Sequence, residues 1–301
     1  MNIVFSVVIP AYNRENEIVR AVKSVLNQSF RNFEIIVVDD GSSDGTMAAV
    51  KSIQDNRVKY IHQNNSGACV ARNTGIANAC GKYVSFLDSD DAWHSTMLEK
   101  QYKIYQSDED VGCVYSKIQI ISGEGKCYPF GKTFGVYGFC YPEVLKQGYM
   151  APTTVLSAKK ECLETVGRFD TSLPASQDDD ICFKLSKNFK IGFIDEILAD
   201  MYVGQINRIS NNPKRVADGW WMLWNKYEED VIKYCGSEVM QIHYLNCVKR
   251  YAAIKDEVLY RKALGRFVEI GGKLKFKDKL SILVARSKFG SFMKKIIRRI
   301  I

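Results

Sequence analysis

Residues 82–100, KYVSFLDSDDAWHSTMLEK, gather three carboxylates, Asp88, Asp90 and Asp91, within four positions, directly after the apolar run Tyr83–Leu87. Like charges this close, partly shielded from water, raise one another's pKa and cost free energy unless a cation offsets them. A hard divalent ion held through oxygen ligands is one resolution. A solvated turn capping a helix that begins near Ser95 is the other, because Asp and Ser favour turns and caps. A second cluster, Gln177-Asp178-Asp179-Asp180, opens a helical pattern that runs through Leu185. Carboxylates there complement the helix macrodipole, or one of them serves as a general base.

Both clusters need elements to position them. The first hundred residues alternate short β-branched runs with helical spacing, which predicts an α/β sheet with crossover helices. Strands are expected at Phe5–Ile9, Glu34–Val38, Val58–His62 and Tyr83–Leu87, and helices at Glu15–Gln28, Thr46–Gln54 and Ala68–Ala79. In such sheets ligands bind outside the carboxyl ends of the strands. Three polar loops leave strands on that edge: Pro10-Ala11-Tyr12-Asn13, Asp39 through Thr46, and Asp88-Ser89-Asp90-Asp91. Residues 111–205 are less regular, with a strand expected near Lys190–Ile194 and a helix after Ala175. From about Asn212 the pattern is helical, with boundaries marked by Pro213 and Gly271-Gly272. The expected organisation is therefore one α/β domain in two halves, 1–110 and 111–211, followed by a helical region 212–301 with a basic amphipathic tail.

The 301 residues are 46% hydrophobic and 25% charged, which suits a folded chain with an ample core rather than a disordered one. Nine cysteines form an odd set with no Cys-x-x-Cys pair, which argues against a disulfide framework or a cysteine zinc site and for a reducing, cytoplasmic setting. No basic leader or membrane-spanning run is read from the sequence. The net charge of +8 is concentrated: residues 273–301 hold ten Lys/Arg against one Asp. The remainder is close to neutral, so no nucleic-acid partner is expected.

The sequence resembles the family-2 glycosyltransferases, nucleotide-sugar enzymes with the GT-A fold. The likeness is carried by SVVIPAYNRE (6–15), IIVVDDGSSDGT (35–46), NSGACVARNTGI (65–76), VSFLDSDD (84–91) and VGRFDTSLPASQDDDICFKL (166–185), in that order over roughly residues 4–200. The resemblance implies a GT-A mixed sheet flanked by helices and an inverting transfer from a UDP-sugar, with the half 1–110 binding the donor and 111–211 the acceptor. By that likeness Pro10, Ala11, Tyr12, Asn13, Glu15 and Asp40 hold the uridine, with Asp40 accepting from the uracil N–H, while Asp39 braces its loop. Gly67 lets the backbone approach the ligand, and Arg72 and Asn73 line the nucleotide pocket. Asp88-Ser89-Asp90 is the family's Asp-x-Asp motif, with Asp90 the direct ligand of Mn²⁺ or Mg²⁺ and Asp88 a supporting contact. Asp178 takes the general-base position. Gln177 departs from the family's usual Glu, and residues 201–210 lack the His that joins the metal site in many relatives.

His62, His94 and His243 have no ligand spacing with one another and are expected to be structural. Trp220, Trp224 and Tyr227 share one helical face, which serves packing or sugar stacking. The tail KFGSFMKKIIRRII (288–301) places apolar and cationic residues on opposite arcs, the pattern of a helix lying on an anionic membrane surface or packed on the body. With the family's roles in O-antigen and capsule synthesis, this implies a peripheral membrane enzyme and an acceptor glycan linked to undecaprenyl diphosphate. The competing readings are a sugar nucleotidyltransferase, for which no Gly-rich triphosphate loop is found, and a catalytically silent nucleotide-sugar or membrane-binding module.

Overall fold

A computed structural model describes residues 3–130, 135–203 and 212–286. The described residues form two compact units, one within 1–172 and 177–205 and the other within 173–176 and 206–301. The first is built on one sheet, so residues on both sides of position 110 share it.

The unit opens with β1 (Phe5–Ala11), α1 (Ile18–Leu26), β2 (Phe33–Asp39), α2 (Thr46–Lys51), β3 (Val58–His62), α3 (Ala68–Asn78) and β4 (Tyr83–Phe86). β1 and β2 are near-continuous apolar runs because both faces of a parallel sheet are covered. These four strands run parallel in the order β3-β2-β1-β4. The chain thus winds outward from β1 in one direction and returns to its other side, which opens a crevice at the carboxyl ends of β1 and β4. Strand β1 is longer than its sequence predicts. Pro10 and Ala11, expected in the following loop, pair with Val38 and Asp39 as its last residues, and the loop begins at Tyr12.

The sheet continues through β5 (Ala92–Trp93), α4 (Met97–Ser107), β6 (Val111–Ile121), β7 (Cys127–Pro129), α5 (Tyr141–Gln147), β8 (Ser157–Lys159), α6 (Lys160–Thr165), α7 (Gln177–Asn188) and β9 (Lys190–Tyr202). β8 is antiparallel between β4 and β6, β6 pairs parallel with β9, and β5 closes the far edge. The strand near Lys190–Ile194 extends to Tyr202, and the 11-residue β6 was not legible at all. Register shifts along β6–β9 at Val111/Cys113, Ser116/Lys117 and Lys117/Gln119 break the alternation by which a strand is recognised.

The second unit holds α8 (Pro213–Cys235), α9 (Ser237–Ile254), α10 (Glu257–Glu269) and α11 (Phe276–Arg286). Asn212 caps α8 by accepting from the Arg215 N–H, with Pro213 at the first helical position. The aromatic face of α8 packs: Trp224 and Tyr227 are buried, and Trp224 stacks on His243 of α9 with ring centroids 3.6 Å apart. All nine cysteines are free thiols. Among the described residues no helix is long and apolar enough to cross a membrane. The tail 288–301 lies outside the described residues.

One buried carboxylate ties the parallel layer together. Glu34 on β2, 2% exposed, accepts from Ser6 Oγ of β1 at 2.6 Å and the Cys80 N–H at 2.7 Å, and pairs with Lys59 of β3 at 2.6 Å. Burial alone would raise its pKa, but Lys59, Ser6 and Cys80 together hold it below the ordinary glutamate value. A depressed folded pKa gives stability that is present above the unfolded value, about 4.3, and lost as pH falls through the folded value. Glu34→Gln is therefore expected to cost about 1–3 kcal/mol at neutral pH. In acid titrations followed by denaturant unfolding, the variant should lose less stability than wild type below about pH 4.5.

Candidate active site

The loops after β1 and β2 are zipped together by side chain to backbone bonds. The Asn13 N–H donates to Ser42 Oγ at 2.9 Å, and Asn13 Oδ1 accepts from the Ser43 N–H at 2.8 Å. The Arg14 N–H donates to Thr46 Oγ1 at 2.8 Å, and Glu15 accepts from the Gly45 N–H at 2.7 Å. Asn13 adopts φ 51°, a left-handed conformation that Asn tolerates better than most residues. Asp39 accepts from the Ser42 N–H at 2.9 Å and from the Tyr60 hydroxyl, the bracing role expected for it. Glu15 is likewise placed as a brace, whereas Tyr12 is 44% exposed at the loop tip.

Asp40 is buried, and its carboxylate organises the turn leading into α3. Oδ1 accepts from Gln63 Nε2 at 2.7 Å and the Ser66 N–H at 2.9 Å, while Oδ2 accepts from the Gly67 N–H at 2.7 Å. An ionised carboxylate has about four acceptor positions, so three are filled by the protein and about one remains. Gly67 has φ 93°, the conformation that turns its N–H toward Asp40. Gly41, at φ 79°, lies so close to the next loop that a Cβ would sit 2.8 Å from the Asn65 nitrogen.

From α3 the buried Arg72 reaches across to the loop after β4, where its Nη2 donates to Asp88 Oδ1 at 2.6 Å. Its guanidinium also lies 5.5 Å over the Phe169 ring, and its buried Nε has no hydrogen-bond partner among the described residues. Neighbouring Asn73 clamps Phe169 in both directions, accepting from its N–H at 3.0 Å and donating to its carbonyl at 2.9 Å. Asn73 thereby positions the 166–170 segment that precedes α7. The backbone N–H of Asp88 donates to Thr154 Oγ1 at 3.2 Å, Ser89 and Asp90 are buried, and the Asp90 carbonyl accepts from Arg20 Nη2 at 2.6 Å. Asp91 accepts from the Tyr202 N–H at 3.2 Å, tying the turn to β9.

Asp178 stands in the first turn of α7, half-buried, where its Oδ1 accepts from the Asp179 N–H at 3.1 Å. Burial raises its pKa, Arg72 opposes that rise, and Asp88 adds to it; the net direction is upward. Residues 72, 88 and 178, far apart in the chain, thus form one electrostatic cluster. Asp180 is fully buried and pairs with Lys184 at 2.8 Å, one turn along the helix, a structural role.

Asp88 and Asp90 supply hard oxygen donors. Among the described residues no cluster of three His, Cys, Asp or Glu side chains is placed to hold a metal. That donor set suits Mg²⁺ or a similar cation that keeps waters and takes phosphate oxygens rather than an all-protein cage. The histidines have other neighbours: His62 lies 3.8 Å from Asp39, His94 lies 3.0 Å from Asp200, and His243 stacks on Trp224.

Sequence reasoning missed Thr154 and Arg20. Thr154 is fully buried, bonds the Asp88 N–H, and accepts from Trp93 Nε1 through its carbonyl at 2.7 Å. Arg20 sits 3.7 Å over the Tyr202 ring as well as on the Asp90 carbonyl. The run Ala151-Pro152-Thr153-Thr154 carries no marker of this role, and Arg20 lies on the polar side of α1, away from the buried Ile18, Ala21, Val22 and Val25, where a charged residue gives no signal. The close loop packing is testable at Gly41. Gly41→Ala meets both a positive φ and a steric conflict, so a loss of about 1–3 kcal/mol is expected in denaturant unfolding.

A family model described as Glycosyl transferase family 2 matches residues 6–152. The putative teichuronic acid biosynthesis glycosyltransferase TuaG of Bacillus subtilis is 31% identical over 74% of this chain and 88% of its own length. WfgD of Escherichia coli, a UDP-Glc:alpha-D-GlcNAc-diphosphoundecaprenol beta-1,3-glucosyltransferase, is 34% identical over 50% of this chain and 58% of its own. An uncharacterized glycosyltransferase of Rickettsia bellii is 31% identical over 71% of this chain, which spans only 31% of that longer relative. Among solved structures, Staphylococcus aureus TarS 1–349 in complex with UDP-GlcNAc superposes with a TM-score of 0.69 at 20% identity, covering 89% of this chain and 81% of TarS. The mixed sheet is therefore the GT-A fold. With the motif-bearing loops joined at its carboxyl edge and a relative matched over nearly its full length, the chain belongs to glycosyl transferase family 2.

Proposed function

We propose that the protein is an inverting glycosyltransferase that moves a hexose or N-acetylhexosamine from a UDP-sugar to a hydroxyl of a lipid-linked glycan. The observation that carries this reading is the cluster of Arg72, Asp88 and Asp178 at the carboxyl edge of the parallel strands. TarS in complex with UDP-GlcNAc supports the donor class, and the diphosphoundecaprenol acceptor in the name of WfgD supports the acceptor class.

In this reading the loop residues Tyr12 and Asn13, at the end of the strand residues Pro10 and Ala11, line the uridine with Glu15 as their brace. Asp40 offers its remaining acceptor position to the uracil N–H, and a base lacking that donor would leave a buried carboxylate short of a partner. Asp178 takes the proton of the acceptor hydroxyl. The oxygen bonds to the anomeric carbon as the bond from that carbon to the UDP oxygen breaks, and the electron pair leaves with the diphosphate. Attack from the face opposite UDP inverts the anomeric centre. Arg72, paired with Asp88, offsets part of the rise that burial and Asp88 impose on the Asp178 carboxyl. A divalent cation on Asp90, with Asp88 in support, would neutralise charge building on the leaving diphosphate.

Asp178→Asn keeps shape and removes the base, so UDP release coupled to transfer should fall by about 10²–10⁴-fold with UDP affinity kept. Full activity in that variant would overturn the mechanism. Because the folded pKa of Asp178 is raised, the acid limb of the rate profile should lie above the ordinary aspartate value of about 3.9. An acid limb at or below that value would contradict the environment described for this carboxyl.

Association with a membrane surface through 288–301 is part of the same proposal. It is supported by α11, which leads into that tail and leaves Phe276 82% and Leu283 67% exposed beside exposed Lys273, Lys275, Lys277 and Lys279. Each cation near an anionic bilayer contributes about 1 kcal/mol. Full-length protein should co-sediment with vesicles containing phosphatidylglycerol and release in high salt. Equal sedimentation after deletion of 288–301 would refute a role for the tail.

A further inference from the structure

Tyr149 follows α5 and stands two residues before Ala151, whose carbonyl accepts from Cys182 Sγ at 3.7 Å. Cys182 lies on α7 one turn beyond Asp178, so this contact seats the 149–151 segment against the helix that carries the base. The Tyr149 ring is held at a centroid distance of 6.0 Å from Phe130. Its hydroxyl is buried and, among the described residues, has no hydrogen-bond partner. Buried tyrosine hydroxyls usually find a partner, and one left alone forfeits about 1–3 kcal/mol of hydration without return. Burial, with Asp178 and Asp179 adding negative charge nearby, pushes the phenol well above its usual range. It therefore remains a donor wherever Asp178 is ionised.

We propose that Tyr149 is an acceptor-binding residue, its hydroxyl completing a hydrogen bond to a hydroxyl of the sugar that presents itself to Asp178. This rests on the reading of Asp178 as the base of a glycosyltransferase. Tyr149 then selects a hydroxylated ring over an apolar group of similar size, because only a polar partner relieves the buried phenol. In the ligand-free protein the hydroxyl contributes no bond, so its removal should not weaken the fold.

Tyr149→Phe in the full chain tests this with two probes, UDP and GlcNAc joined through a diphosphate to an undecyl chain, each titrated calorimetrically, together with ligand-free thermal unfolding. The expected result is an unchanged or raised Tm, unchanged UDP affinity, and acceptor-probe affinity weakened about 10-fold, the loss of one hydrogen bond. A lowered Tm would make the hydroxyl structural and overturn the proposal. Equal acceptor affinity in wild type and variant would overturn it alone, leaving the function reading intact. Wild type that binds UDP but not this acceptor would overturn the lipid-linked acceptor reading and the inference with it.

Discussion

The site depends on one buried cation. Arg72 is nearly enclosed, and its charge, bonded to Asp88 of the β4 loop, opposes the rise that burial imposes on the Asp178 carboxyl of α7. Burial by itself drives such groups toward the neutral form, and in the proposed transfer a neutral carboxyl at Asp178 could not take the proton of the acceptor. A guanidinium suits this position because its charge persists under desolvation and its plane can rest on an aromatic ring, here Phe169. The position of the Phe169 ring is in turn fixed by the two-way bond from Asn73, the next residue along α3.

That chain of dependence explains why the fold invests its polar bonding in loops. The loops at 12–15 and 39–46 are closed by bonds between one loop's side chains and the other's backbone, and Asp40 fastens the entry to α3 in the same way. Such bonds restrict the loops before any ligand arrives, which reduces the ordering cost of binding. The sheet below supplies rigidity through its apolar parallel strands and through Glu34, whose carboxylate spans three adjacent segments.

Much of this was legible in the sequence. The strand-helix alternation of the first hundred residues was readable because β1, β2 and β4 are buried on both faces and α1 has one apolar stripe, and those patterns are local. The three polar loops were readable for the same reason, as was Asp39 as a brace. The boundary at Pro10 was not, since proline suggests a turn, whereas here it ends a strand and pairs by register with Val38. Strand β6 was hidden by its shifted register, and Thr154 and Arg20 were hidden because their roles arise from contacts with residues distant in sequence. Asp178 was singled out only through the order of its motif among others, and what the sequence could not express was its neighbourhood of Arg72 and Asp88.

The proposed reaction is a single displacement in which Asp178 deprotonates the acceptor on the face opposite the departing UDP. The direct measurement is the anomeric configuration of the product by NMR, after transfer from an α-configured UDP-sugar to a lipid-diphosphate-linked GlcNAc. The account predicts a β-linked product, read from the large coupling of its anomeric proton. An α-linked product would mean retention, and would contradict a mechanism built on one base and one displacement.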